Sequence, residues 1–327
     1  MSGASSRPAS PAPVSGCAAR AWPATSTALR LGIDLGGTKI AGVVLGPDGA
    51  RLAEHRRSAP REDYAATLAA VVEVVALLQA RVGAEASIGI GIPGSLSPRT
   101  HVVQNANSTW LNGRPFASDL QDRLTRPVRL ANDANCFALS EATDGAGAGS
   151  SPVFGVILGT GCGGGLILDQ RLIDGPRGIG GEWGHNPLPW ARDGEHPGPA
   201  CWCGRVGCIE TWVSGPGLAA DYRRVTGITQ TVEAIAASAA AGETDASAAL
   251  ARHADRLARA LASIVNIFDP AVIVLGGGLS KLEHLYKELP HLIAPHVFAE
   301  TKEVVVRPPL WGDASGVRGA AWLWGSG

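Results

Sequence analysis

The sequence predicts a two-lobed α/β fold made by duplication, with a ligand cleft between the lobes. Three observations predict it. Two strand–glycine–strand segments match one another about half a chain apart, short apolar strands alternate with one-faced helices, and a cysteine–histidine cluster braces a loop in the second half. Residues 31–45 and 154–168 align without a gap, so that Gly32/Gly155, Leu35/Leu158, Gly36/Gly159 and Leu45/Leu168 coincide. A hairpin used twice points to two related sheets, each flanked by helices, and such architectures bind ligands in the cleft between them.

Taken in order, residues 1–28 are rich in Ser, Ala and Pro and lack the apolar segment of a secretory signal. They read as a disordered leader, or as translation assigned from too early a start, and Cys17 within them is given no function. LRLGIDLGGTKIAGVVL is apolar on both sides of Gly36-Gly37, which predicts two strands joined by a tight turn. Over 64–82, Leu68, Val71, Val72, Val75 and Leu78 recur at helical spacing. SIGIGIPGS predicts a strand ending at a Pro-Gly break, and VRLAND a strand running into the helix ANCFALSEA. After the second hairpin, residues 248–268 predict a helix with Leu250, Leu257, Leu261, Ile264 and Val265 inward. AVIVLGGGL is a buried strand entering glycines. We expect a small lobe over 29–133, completed by 311–327, and a large lobe over 134–310 that carries the cysteine loop.

Composition narrows the function classes. A chain of 327 residues with 45% hydrophobic and 17% charged content suits a globular protein with a substantial core. A formal charge of −1 provides no basic field for nucleic acid and no polybasic membrane patch. No apolar stretch is expected to reach the ~20 residues of a membrane span. Six cysteines, three of them clustered, point to metal and a reducing, cytoplasmic compartment rather than a disulfide scaffold.

That cluster is CWCGRVGCIE, with GEWGH upstream. Cys201, Cys203 and Cys208 need one more donor for the tetrahedral set a structural zinc takes, and either His185 or the nearer His196 can supply it. Disulfides fit poorly, because Cys-x-Cys is too tight to bridge and the pair Cys201–Cys208 would strand Cys203. Glu182 and Glu210 sit beside candidate ligands, so the zinc reads as a scaffold for a binding pocket.

Two glycine turns can cradle phosphates. In DLGGTK, Gly36 and Gly37 let backbone N–H groups approach phosphate oxygens, Thr38 and Lys39 add donors, and Asp34 can hold magnesium. LGTGCGGG repeats the design with Gly159, Thr160, Gly161 and Gly163, Cys162 being a small filler. Gly277 and Gly278, at the end of a buried strand, let a nucleoside lie against bare backbone. Asn132-Asp133 joins strand to helix, where Asp133 is either an N-cap or a carboxylate facing the cleft. NANSTWLNG, including Asn107, is either a sugar-binding loop with Trp110 over the sugar's C–H face or a polar turn with Trp110 packed beneath it.

With DLGGTK, LANDANCFALSE, LGTGCGGG, GEWGH and CxCGxxGCxE in this order from about Leu31 to Trp324, the chain resembles the ROK family of bacterial sugar kinases. The resemblance implies the actin-like ATPase and sugar-kinase fold, ATP and Mg²⁺ as reactants, and a structural Zn²⁺ held by His185, Cys201, Cys203 and Cys208. It implies Asp133 as catalytic base and Asn132, Glu182, His185 and Glu210 as sugar contacts. NANSTWLNG with GEWGHNPLPW is most similar to the fructokinase (manno-fructokinase) branch, so phosphorylation of the fructose 6-hydroxyl is the leading expectation. N-acetylglucosamine kinase and glucokinase of the same family are the alternatives. A sugar-sensing repressor is remote, since only about 30 residues, without helical periodicity, precede DLGGTK. A homodimer is expected by family analogy. The segment ARDGEHPGPA before Cys201 departs from the family pattern.

Overall fold

The computed structural model describes residues 29–325, so the leader expected over 1–28 and the last two residues lie outside the described residues. The chain forms β1 (Leu29–Leu35), β2 (Lys39–Leu45), β3 (Arg51–Ser58), α1 (Tyr64–Val82), β4 (Ala86–Ile92), the short pair β5 (Ser95–Leu96) and β6 (Val103–Gln104), α2 (Phe116–Leu124), β7 (Val128–Asn132) and α3 (Asp133–Thr143). The second half forms β8 (Val153–Leu158), β9 (Cys162–Leu168), β10 (Arg171–Leu172), α4 (Glu210–Val213), α5 (Gly215–Thr226), α6 (Val232–Ala240), α7 (Thr244–Phe268), β11 (Val272–Gly276), α8 (His284–Ile293), β12 (Val306–Arg307) and α9 (Ser315–Trp322). Helix α7 starts four residues before its expected position because Glu243 caps it, accepting from the Asp245 and Ala246 N–H groups.

The duplication is visible in the pairing. One sheet has the order β3-β2-β1-β4-β7 and the other β10-β9-β8-β11-β12. In each, the first three strands are antiparallel and the remaining pairings are parallel. The helix that closes each repeat crosses over. Helix α3 leaves β7 of the first sheet yet packs on β8 and β9, while α9 leaves β12 of the second yet packs on β1, β2 and β4. A shared apolar cluster fills the junction, with Val43 and Leu45 from one sheet, Val153 and Val274 from the other, and Phe137, Leu139, Val317 and Ala321 from the crossing helices.

The matched glycines mark these crossings. A Cβ on Gly32 would lie 2.1 Å from the Val317 carbonyl of α9, and one on Gly155 2.5 Å from Cβ of Ala138 in α3. Where the two helices meet, a Cβ on Gly319 would stand 1.6 Å from the Cys136 carbonyl. Bare backbone at these points lets helix and strand approach more closely than any side chain allows.

One helix tests the expectation that no stretch spans a membrane. Helix α1, nineteen residues with a window of mean hydropathy 1.7, is long and apolar enough by composition to cross a membrane. It is instead a core helix: Leu68, Val71, Val74, Val75 and Leu78 are buried on the first sheet, and its exposed face carries Glu73. The alanines that raise its hydropathy do not distinguish a core helix from a membrane one.

Candidate active site

The first glycine turn follows from strand register. Asp34 pairs with Ala41 across β1 and β2, and the Gly36 N–H donates to the Lys39 carbonyl at 2.9 Å, which closes DLGG into a bend. Burial pushes the Asp34 carboxyl up to about 6; the charge of Asp133 adds to the rise and Lys39 opposes it. Helix α9 begins beside it, since a Cβ on Gly316 would lie 3.5 Å from Asp34 Oδ2. The turn itself approaches the 105–113 loop, with Ser108 Oγ 3.6 Å from where a Cβ on Gly37 would be.

Asp133 is the first residue of α3 and is not its cap. Asn132 takes that role, its Oδ1 accepting the Ala134 N–H at 2.9 Å while its Nδ2 donates to the Gly94 carbonyl. Asp133 Oδ1 accepts the same N–H at 2.8 Å. Asp133 is solvent-exposed as a residue and lines a cavity, while its carboxyl lies among dense protein. Burial therefore raises its pKa, against the pull of the Ala134 N–H.

A cavity of about 360 Å³ gathers Asp133 with Asn107, Asn132, Glu182, His185 and Glu210, together with the turn from Gly159 to Gly164. The turn is held by Glu210, whose Oε2 accepts the Cys162 N–H at 2.9 Å. Glu182 precedes the short 3₁₀ turn Trp183–His185, which Trp183 anchors by donating from Nε1 to the Gly163 carbonyl at 3.1 Å and packing edge-on against Phe154. Burial raises the Glu182 pKa, His185 opposes it, and the neighbouring carboxylates of Asp133 and Glu210 add to the rise. In Cys162, burial, Glu210 and Glu182 together push the thiol well up, which suits a small filler and no nucleophile.

A second cavity, of about 700 Å³, adjoins the first through Gly159 and Thr160, which line both. Its walls are Gly215, Pro216 and Ala219 of α5, Val232, Glu233 and Ala236 of α6, and Gly278 with Lys281 after β11. Gly277 faces elsewhere: at φ 78° it lies against β8, where a Cβ would be 2.4 Å from the Leu158 carbonyl. The DLGGTK residues line neither of these two cavities.

The cysteine loop folds into a donor set. His185, Cys201, Cys203 and Cys208 place their ligand atoms within 4.8 Å of one another, and His196 is not among them. Zinc bonds of ~2.3 Å to sulfur and ~2.05 Å to nitrogen imply tetrahedral S···S and S···N separations of about 3.8 and 3.6 Å. Cys203 and Cys208 have their sulfurs 3.7 Å apart, and His185 Nδ1 is 3.6 Å from Cys201 Sγ. Residues and spacing thus fit zinc, and the five cysteines of the described residues form no disulfide.

The segment 191–200 is fastened from outside. Buried Glu195 accepts from Arg256 Nε at 2.7 Å, Arg259 Nη2 at 2.9 Å and the Arg192 N–H at 2.9 Å, while Arg259 also donates to the Pro189 and Trp190 carbonyls. Arg256 stacks over Trp212 of α4, the helix that Glu210 begins. Helix α7 thereby holds the cysteine loop on both flanks.

Sequence reasoning missed several groups. Trp202, between two of the clustered cysteines, lines the first cavity; Trp110 does not, being packed on the first-sheet core with Nε1 donating to Thr67 Oγ1 at 3.2 Å. The packed reading of NANSTWLNG therefore holds for its Trp, while Asn107 faces the cavity. Asn112 organises that loop by bonding both the N–H and the carbonyl of Ala106 at 2.9 Å. The walls contributed by α5 and α6 carry no motif. Trp202 alone had a usable signal, a large aromatic held by metal ligands on either side.

Two related sheets, crossing helices, paired glycine turns and an acid-lined cleft define an actin-like sugar kinase. Comparison agrees: residues 30–326 match the ROK family, and the chain belongs to it. An N-acetyl-D-glucosamine kinase of Pectobacterium atrosepticum is 39% identical over 296 residues, 89% of this chain and 97% of that one. The ROK hexokinase structure from Thermus thermophilus superposes with TM-score 0.81 at 32% identity, covering 90% of this chain and 97% of its own. A ROK family glucokinase from Streptomyces griseus, solved with glucose and AMPPNP, gives 0.72 at 28% identity, covering 90% and 98%.

Proposed function

We propose that the protein transfers the γ-phosphoryl group of ATP to the 6-hydroxyl of a free hexose, with N-acetylglucosamine as the preferred acceptor. The observation that carries the reading is the meeting of two cavities at Gly159 and Thr160, one edged by Asp133 and polar side chains, the other walled mostly by small and apolar residues of α5 and α6 with Glu233 and Lys281 among them. In this reading the sugar occupies the first, adenine the second, and the phosphates cross the glycine turns between them. Asp133 accepts the proton of the attacking hydroxyl, its raised pKa making it a stronger base than an ordinary carboxylate. Asn107, Asn132, Glu182, His185 and Glu210 orient the sugar, and Gly36, Gly37, Thr38 and Lys39 with Gly161 and Gly163 border the phosphates. Gly277 supports the turn at Gly278. Mg²⁺, when bound near Asp34, neutralises developing phosphate charge. His185, Cys201, Cys203 and Cys208 would hold Zn²⁺, which fixes the loops carrying Glu182 and Glu210. The same reading divides the chain into a small lobe over 29–133 with 311–327 and a large lobe over 134–310.

The acceptor follows the relatives, because kinases named for N-acetylglucosamine are 39–40% identical over nearly the whole chain. Fructose, the leading expectation from sequence, becomes the second reading; NANSTWLNG with GEWGHNPLPW favours it. ATP-dependent turnover of N-acetylglucosamine, glucose, fructose and mannose, coupled to ADP release, tests both. Preference for N-acetylglucosamine supports the proposal, preference for fructose replaces the acceptor, and no turnover of any, with zinc bound, rejects the kinase.

A further inference from the structure

We infer that Trp202 is a specificity-determining wall of the sugar cavity, covering a C–H face of the bound hexose with its ring and fixing Glu210 with its N–H. The inference rests on the kinase reading above. Three observations carry it. First, Trp202 lines the same cavity as Asp133 and is 72% exposed, so its ring is held out into the space a ligand would fill rather than packed away. The ring thus sets an apolar face among polar walls, beside a cleft a ligand can enter. Second, the ring does not hang freely. Its Nε1 donates to Glu210 Oε1 at 2.7 Å, and it meets the His185 imidazole edge-on, centroids 5.0 Å apart at 86°. Third, Glu210 spends its other oxygen on the Cys162 N–H, so the indole completes a bridge from the zinc loop through Glu210 to the glycine turn.

These contacts assign two separable tasks. The N–H removes one freedom of Glu210 and keeps its carboxylate aimed into the cavity. The ring supplies an apolar face, which suits the axial C–H groups of a pyranose or an N-acetyl methyl and rejects nothing on charge. Residues flanking it are zinc ligands, so the backbone beneath the ring is rigid once metal is bound.

The test compares wild type with Trp202→Phe, which keeps a ring and loses the donor, and Trp202→Ala, which loses both. Sugar and ATP KM are measured with the hexose that wild type turns over best, and zinc content is checked for each protein. Tryptophan emission is titrated separately with all four hexoses. The expected result is a sugar KM raised about tenfold in Trp202→Phe, the size of one lost bond to a charged acceptor, and raised further in Trp202→Ala. The ATP KM stays unchanged, and the sugar-induced emission change of wild type is lost in Trp202→Phe. Wild-type sugar KM and an undiminished emission change in a zinc-loaded Trp202→Phe would overturn the inference. If wild type phosphorylates no hexose, the kinase reading fails by itself. The emission titration still decides whether Trp202 meets a sugar, because a saturable change lost in Trp202→Phe supports the contact and its absence overturns it.

Discussion

Replacing Glu195 with Gln isolates what holds the cysteine loop against α7. The wild-type carboxylate accepts three bonds and sits between two guanidiniums whose side chains are only 6% and 1% exposed. Breaking a buried pair by removing one charge costs about 3–5 kcal/mol. The lower end applies here, because Arg256 retains Asp221 at 2.7 Å and Arg259 retains Asp255 at 3.1 Å. At roughly 2 °C per kcal/mol for a large chain, Tm should fall by about 6 °C at pH 7. The pH dependence gives a second, sharper readout. Burial would raise the Glu195 pKa, but the Arg192 N–H and the Arg256 and Arg259 guanidiniums outweigh it and hold the carboxyl below its ordinary 4.5. A depressed folded pKa contributes stability that is complete above 4.5 and is lost as pH falls through the folded value. The Tm gap between wild type and Glu195→Gln should therefore be constant from pH 7 to about 5 and close below 4.5. Scanning calorimetry across that range checks both. A gap under about 1 °C at pH 7, or one that persists unchanged in acid, would refute the reasoning.

Three other outcomes follow from the same geometry. Asp133→Asn should lower kcat by about 10²–10⁴ with sugar KM within a few-fold, as steady-state kinetics would reveal. Asp34→Asn should raise Tm relative to wild type at pH 8 but not at pH 4, in metal-free melts. The Asp34 pKa is raised from 3.8 to about 6, so the fold favours its protonated form and loses that advantage as pH rises through 6. Gly319→Ala should cost about 3 kcal/mol or prevent folding, since its Cβ would meet backbone of Cys136 at 1.6 and 2.4 Å and neither helix can yield locally. Urea denaturation gives the first of these values, and a soluble Gly319→Ala of wild-type stability would contradict the crossing.

Much of the fold was legible because its signals are local. Strand–glycine–strand patterns need only neighbours in sequence, and both hairpins form where the alignment of residues 31–45 with 154–168 puts them. The donor set was legible in full: cysteine spacing marked three members, the family resemblance chose His185 over His196, and the fold brings His185 to the sulfurs. The two tryptophans show where reading along the chain stops. Trp110 lies in a loop rich in amides and hydroxyls yet turns inward to Thr67 on α1, 43 positions away; Trp202 lies among cysteines and turns outward to the cavity. Which way an aromatic points depends on long-range packing that no local pattern encodes. The same holds for α5 and α6, whose cavity walls, small and apolar apart from Glu233, carry no local signal until the fold sets them opposite Gly278.

What the duplication shares and what it does not explains how one scaffold carries asymmetric chemistry. The alignment that matches Gly32 to Gly155 also sets Asp34 against Ile157 and Lys39 against Cys162. Charge therefore stands only in the first copy of the hairpin, while the second keeps glycines and an apolar strand end. Crossing of the closing helices brings the halves to bear on one another: α3 delivers Asp133 from the first half to the glycine turn of the second, and α9 brings its N-terminus from the second half to Asp34 of the first. The N-terminus of α3 lines the first cavity, where its dipole favours anionic groups, and that of α9 abuts Asp34. Each half needs the other's helix to complete its side of the site. Rotation of one sheet against the other would leave each aspartate with its own turn and change instead the separation between Asp34 on β1 and the glycine turn between β8 and β9.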